Sequence, residues 1–296
     1  MKKVLAIVST LLVVVAGASP ATAAPNLSSD TPVIIAHKTG PLEAPENSVQ
    51  GIVSAKKKNS NLTWVEIDVN FNKSNFPVAL HGSDVGVTTD GTGLVSNLWL
   101  SQTQNLNAAN YDPWNRKKSD GSWQYPEYHG KVDASTDKLH LPYGYEFFDA
   151  ARDANVGLLL DMQAIPTQAQ AQKLYDYIIR FNYLNKTVYM GSVASVTAME
   201  DFYPDVTTFV IEYPPAGMTR LPTTIKQIGA EGYVVRYDRL DKAVVGMYKA
   251  SGLKIFTWTT DSPTTDVASC WQKMADVGVD ALITNKHLEA ENLIHP

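Results

Sequence analysis

The chain has a single cysteine, Cys270, so no internal disulfide can hold it together and its stability must come from a buried core. The surroundings of Cys270 read as helical, with buried packing as its expected role. There is no excess of positive charge: 25 Lys and Arg stand against 30 Asp and Glu, a formal net charge of −5. That balance excludes the basic footprint of a nucleic-acid or polyanion binder. No Gly-rich loop follows the first strand-like run, which argues against a dinucleotide-binding open sheet. No internal repeat is evident, and long apolar runs are missing except from Val4 to Ala18, which is short for a membrane span. Stable insertion in a membrane is therefore not expected. The 44% hydrophobic content over 296 residues is enough for one large core, so disorder is excluded as well.

What is there begins with a leader. Lys2 and Lys3, the apolar run, and the small residues Ala21-Thr-Ala-Ala24 read as a cleaved secretory signal over residues 1–24, leaving a single exported domain over 25–296. Loss of Lys2 and Lys3 moves the formal charge to −7. No cysteine lies at the cleavage region, so a lipid anchor is not indicated. On so acidic a chain an anionic substrate needs a local positive centre.

The mature chain alternates strand-like and helix-like segments. Val33–His37, Ser48–Lys58 and Thr63–Phe71 form a βαβ opening. Pro77–His81 reads as an extra strand and is followed by a long irregular stretch, about residues 82–140, which is read as an insertion on a functional face. Its Tyr111, Trp114, Trp123, Tyr125 and Tyr128 suit either a small core of its own or an aromatic wall for a cationic headgroup. Alternation then resumes through strands at 156–162, 187–190, 207–211, 232–236, 253–259 and 281–284, separated by helices at 143–154, 167–181, 193–202, 221–229, 241–251 and 264–277. Eight core strands in strict alternation with helices predict an α/β TIM (β/α)8 barrel with an insertion after the second barrel strand.

Trp64-Val-Glu-Ile-Asp-Val-Asn70 is the stretch around which the rest is organised. Strand side chains alternate, so Glu66 and Asp68 share one face. Pointed inward, two anions in a poorly solvated space repel one another, and a bound cation removes the conflict. In a barrel the active face is the C-terminal end of the strands, where His37, Glu66, Asp68, Asp161 and Thr259-Thr-Asp261 all fall. Imidazoles beside a hard, oxygen-liganded cation suit hydrolysis or transfer at a phosphoryl centre.

Those residues carry a family resemblance. His37-Lys-Thr-Gly40, Pro45-Glu-Asn-Ser48, Glu66-Ile-Asp-Val69, His81-Gly82 and Thr88-Thr-Asp-Gly-Thr-Gly93 follow, in order and spacing, the H-R-G, P-E-N-T, E-x-D-V, H-D and T-T-x-G-x-G elements of glycerophosphodiester phosphodiesterases. Farther on, Leu141-Pro142 resembles the family's I-P-T-L-E segment, Asp161-Met-Gln163 its E-x-K strand, Phe256-Thr-Trp-Thr259 its W-T element, and Gly278–Thr284 its G-V-D-x-I-x-T-D element. The resemblance spans nearly all of the mature chain.

It implies metal-dependent hydrolysis of glycerophosphodiesters to glycerol 3-phosphate and an alcohol. His37 and His81 would be the general acid and base, and Glu66, Asp68 and Asp161 would hold one divalent cation, Mg2+ or Ca2+. Lys38 is placed as a phosphate contact, Glu46 as support for the site, and Trp258 as a wall for the alcohol portion. The chain departs from the pattern at four places. Lys38 stands for an arginine and gives up its bidentate fork; Gly82 stands for an aspartate, Asp161 for a glutamate and Gln163 for a lysine. Two other readings follow from these departures: a phospholipase D or sphingomyelinase D type of phosphodiesterase, which the aspartate at Asp161 resembles, and a non-catalytic secreted binding barrel. The partner expected is a small-molecule phosphodiester.

Overall fold

The computed structural model describes residues 31–108, 139–212 and 220–296. The expected signal segment and the five insertion aromatics from Tyr111 to Tyr128 lie outside them. Nine strands form one sheet: β1 (Val33–Ala36), β2 (Trp64–Phe71), β3 (Pro77–Ala79), β4 (Gly157–Met162), β5 (Thr187–Gly191), β6 (Thr208–Glu212), β7 (Gly232–Arg236), β8 (Lys254–Trp258) and β9 (Ala281–Thr284). Seven of them pair in parallel from β2 through β4 to β9, and β1, the eighth, closes the ring by pairing with both β9 and β2. β3 stays outside, antiparallel on β2. This is the TIM barrel the alternation predicts, with the insertion entering after β3.

Burial on both faces explains why the strands read as apolar runs rather than as alternating ones. The inner face carries one cluster, including Ile35, Trp64, Leu159, Val188, Phe209, Val234, Phe256 and Ile283. The outer face packs Val65, Ile67, Leu158, Leu160 and Tyr233 against the helices. The helices are α1 (Val49–Lys58), α2 (Leu100–Thr103), α3 (Gly144–Ala154), α4 (Gln168–Arg180), α5 (Val193–Phe202), α6 (Pro222–Gln227), α7 (Lys242–Ala250), α8 (Ala268–Val277) and α9 (His287–Ile294). Several start on side-chain caps: Ser48 Oγ accepts from Gly51 N, and Asp241 Oδ1 accepts from Val244 N. The described part of the insertion has its own satellite core of Val85, Val95 and Ala108 over Val78, Leu80 and Leu141. Among the described residues no helix is long and apolar enough to cross a membrane.

Three local expectations change. The helix expected from Thr264 begins at Ala268 instead, because Thr265 Oγ1 accepts from the Ser262 N–H and donates to the Thr259 carbonyl, and Asp266 turns inward. Cys270 is helical as expected but only half-buried on α8. The final helix α9 was not anticipated.

Candidate active site

Three carboxylates meet at the C-terminal mouth of the barrel. Asp68 on β2 and Asp161 on β4 are register partners, and Glu66 lies two residues deeper, where its longer side chain reaches up to the same space. One oxygen from each of Glu66, Asp68 and Asp161 lies within 4.8 Å of the others. Glu66 and Asp68 are almost fully buried. Burial first, then repulsion from Asp68 and Asp161, push the Glu66 carboxyl well above its ordinary range; burial and Asp68 do the same to Asp161. Glu66 Oε2 accepts from the Lys38 backbone N–H at 2.6 Å, but Oε1 is buried without a partner. A buried acceptor left open, inside a trio of acids that repel each other, fits an oxygen-liganded divalent cation. Glu66, Asp68 and Asp161 are the residues that would hold it.

Asp68 is oriented from two sides. Asn47 Nδ2 donates to its Oδ2 at 2.8 Å while Asn47 Oδ1 accepts from the Asp68 N–H, and Gln163 Nε2 donates to its Oδ1 at 2.9 Å. Second contacts of this kind fix how a carboxylate presents its remaining lone pairs.

His37 follows directly from β1. Its Nδ1 donates to Asn285 Oδ1 at 2.7 Å, which leaves the lone pair on Nε2, 3.8 Å from Glu66 Oε2. Burial first, then the neighbouring Lys38 charge, lower its pKa from 6.5 to about 3, so the ring is neutral. The turn after it is strained: Lys38 and Thr39 both have positive φ, 46° and 65°. That strain aims the Lys38 N–H at Glu66. The turn packs directly on Gly51, where any Cβ would collide with Thr39 Oγ1. The Lys38 ammonium is buried and pairs with Glu46 Oε2 at 3.2 Å. Burial disfavours its charge, but Glu46, Asp68 and Glu66 outweigh burial and hold its pKa above the usual lysine range.

His81 is half-buried. Its neighbours are pinned rather than its ring. Asn70 Nδ2 donates to the carbonyls of Leu80 and Gly82, at 3.0 and 2.5 Å, and the Gly82 N–H donates to Gln163 Oε1 at 3.3 Å. Gly82 sits at φ 74° with open space around it, a backbone that an aspartate there would adopt only under strain. The lysine missing at Gln163 is thus replaced by a neutral bridge between Asp68 and the His81 segment. Trp258 is nearly buried at the top of the inner cluster, with its Nε1 on Asp261 Oδ1 at 3.2 Å.

All eight expected site residues lie at this end of the barrel. Asn47, Asn70, Asn285 and Asp266 carry roles that the sequence reading did not assign. Asn70 continues the Glu66, Asp68 series on one strand face, and Asn285 stands at the aspartate position closing the G-V-D-x-I-x-T-D pattern, so both left a trace.

Comparison with known proteins gives the family. The model of the glycerophosphoryl diester phosphodiesterase family matches residues 37–289. The Bacillus subtilis protein YhdW, which carries the name of a glycerophosphodiester phosphodiesterase, is 27% identical over 85% of this chain and 93% of its own. Among solved structures, an Oleispira antarctica phosphodiesterase in complex with the product sn-glycerol-3-phosphate superposes with a TM-score of 0.71 at 20% identity, covering 90% of this chain and 98% of that one. A Silicibacter pomeroyi protein named for the same activity gives 0.74 at 18% identity, over 89% and 93%. The chain belongs to the glycerophosphoryl diester phosphodiesterase family and is a phosphoric diester hydrolase.

Proposed function

We propose that the chain hydrolyses glycerophosphodiesters to glycerol 3-phosphate and an alcohol, in a reaction that depends on one divalent cation held by Glu66, Asp68 and Asp161. The observation that carries this is the open, buried Oε1 of Glu66 within a carboxylate trio, with His37 Nε2 3.8 Å from Glu66 Oε2. When bound, the cation supplies positive charge for the phosphate oxygens. Lys38 adds a second, fixed positive charge at the same mouth.

Among the described residues no serine or cysteine is set beside a base as a nucleophile. The substrate brings its own: the glycerol 2-hydroxyl lies next to the ester phosphorus, and a well-oriented intramolecular attack has an effective concentration on the order of 10⁵ M or more. His37 takes the hydroxyl proton on Nε2, the nitrogen that Asn285 leaves unprotonated. The hydroxyl oxygen bonds to phosphorus, the bond to the alcohol breaks, and His81 gives that alcohol its proton. Water then opens the cyclic phosphate with the two histidines in exchanged roles.

The test is turnover of glycerophosphocholine beside its 2-deoxyglycerol analogue, lysophosphatidylcholine and sphingomyelin, with and without a chelator. We expect glycerophosphocholine to be cleaved, the analogue to be inert, and chelation to stop the reaction. Equal rates for parent and analogue would rule out the cyclic route, and activity confined to the two lipids would replace the substrate assignment.

A further inference from the structure

We propose that Asp266 is a positioning residue for His37, acting through Asn285. This rests on the reading of His37 as the base. Asp266 lies in the segment between β8 and α8, is fully buried, and touches none of the groups assigned to catalysis. Its carboxylate nevertheless gathers four donors. Oδ1 accepts from Thr259 Oγ1 at 2.8 Å, Trp271 Nε1 at 3.0 Å and Thr284 Oγ1 at 2.5 Å; Oδ2 accepts from the Asn285 backbone N–H at 3.0 Å.

All four donors are neutral, so the site buries an anion without a counter-charge, an expensive way to fill space. What only a carboxylate offers is two oxygens that both accept, in two directions at once. An amide of the same shape must turn a donor toward one of those sets. The two directions matter here because they join different elements: Oδ1 gathers the end of β8, the first turn of α8 and the end of β9, and Oδ2 then fixes the residue that follows β9.

That residue is Asn285, also fully buried. Its Oδ1 holds His37 Nδ1 at 2.7 Å, while its Nδ2 is buried without a partner. Among the described residues no second side-chain hydrogen bond anchors the carboxamide, so its placement comes from its backbone, and the backbone is held by Asp266. Thr259, on the same carboxylate, is the residue after Trp258. One buried acid therefore aligns two adjacent strand ends with the imidazole they serve. Its action is geometric: the protonated nitrogen of His37 is set by what Asn285 presents to Nδ1, and a displaced Asn285 no longer selects one tautomer.

The experiment is Asp266→Asn in the full chain, read by the ¹⁵N shifts of His37 in metal-free protein and by steady-state turnover of glycerophosphocholine with metal present. We expect wild-type His37 to hold its proton on Nδ1, and the variant to populate both tautomers. The kcat should fall on the order of 10–100-fold with KM within about twofold. A merely structural role would lower thermal stability and leave His37 in one tautomer in the folded protein. That result, with kcat reduced only in proportion to the folded fraction, overturns the proposal. Should Asp266→Asn fail to fold, Trp271→Phe removes one donor from Oδ1 on the α8 side and leaves Asn285 untouched. It should shift the tautomers the same way with a loss of roughly twofold to fivefold in kcat, and no shift there overturns the proposal too. A tautomer change with unimpaired kcat would instead overturn the catalytic reading of His37 and leave its positioning by Asp266 standing.

Discussion

The two histidines proposed to act as base and acid are held in opposite ways. His37 is gripped by its ring: Nδ1 sits on Asn285, and Asn285 sits on a fully buried carboxylate. His81 is gripped by its backbone, with the carbonyls on either side of it tied to Asn70 and the next N–H tied to Gln163, while its ring has no hydrogen bond among the described residues. The difference suits two tasks. A base must present a lone pair before the reaction starts, so its tautomer is fixed in advance; a group that follows a departing alcohol needs a fixed pivot and a mobile ring.

The largest expected effect tests whether both are needed at all. His37→Ala and His81→Ala should each lower kcat by roughly 10³-fold, measured on glycerophosphocholine with metal present, and near-normal turnover in either would dissolve the pairing. Next in size is a contrast between the two grips. Asn70→Ala should cost about tenfold, chiefly in kcat, while leaving the His37 ¹⁵N shifts as they are. A change at His37 in Asn70→Ala would show that the two sides are not independent.

The smallest effect concerns the acids between them. The raised Glu66 carboxyl gives the metal-free fold a stability that is full below the ordinary glutamate pKa of 4.5 and declines as pH rises through its higher folded value. Glu66→Gln keeps an acceptor for the Lys38 N–H and offers Asp68 and Asp161 a donor. It should flatten that decline and raise the metal-free Tm at pH 8 by roughly 2 °C, read by thermal unfolding in chelator. A lower Tm would mean that the carboxylate is needed by the fold itself.

The fold was largely legible. Near-continuous apolar runs mark all eight barrel strands, and the extra strand expected over Pro77–His81 stands apart as Pro77–Ala79. The acidic trio was legible for a related reason: a charge inside such a run has few explanations. The supporting amides were harder to see, because Asn47, Asn70 and Asn285 are unremarkable in composition and act through contacts distant in sequence. Asp266 was hidden most completely. It falls in a stretch with helical pattern, and only tertiary hydrogen bonds outweighing local propensity turn it inward.

The seam where β1 meets β9 has a consequence in time. The bond between His37 and Asn285 joins residues 248 apart, and closing so long a loop comes late in folding. The acids on β2 and β4 can gather as soon as neighbouring strands pair, but His37 acquires its partner only when the two ends of the barrel meet. An incomplete or clipped chain could therefore assemble the acidic cluster yet have no poised base, so that the first turnover also reports that the ring has shut.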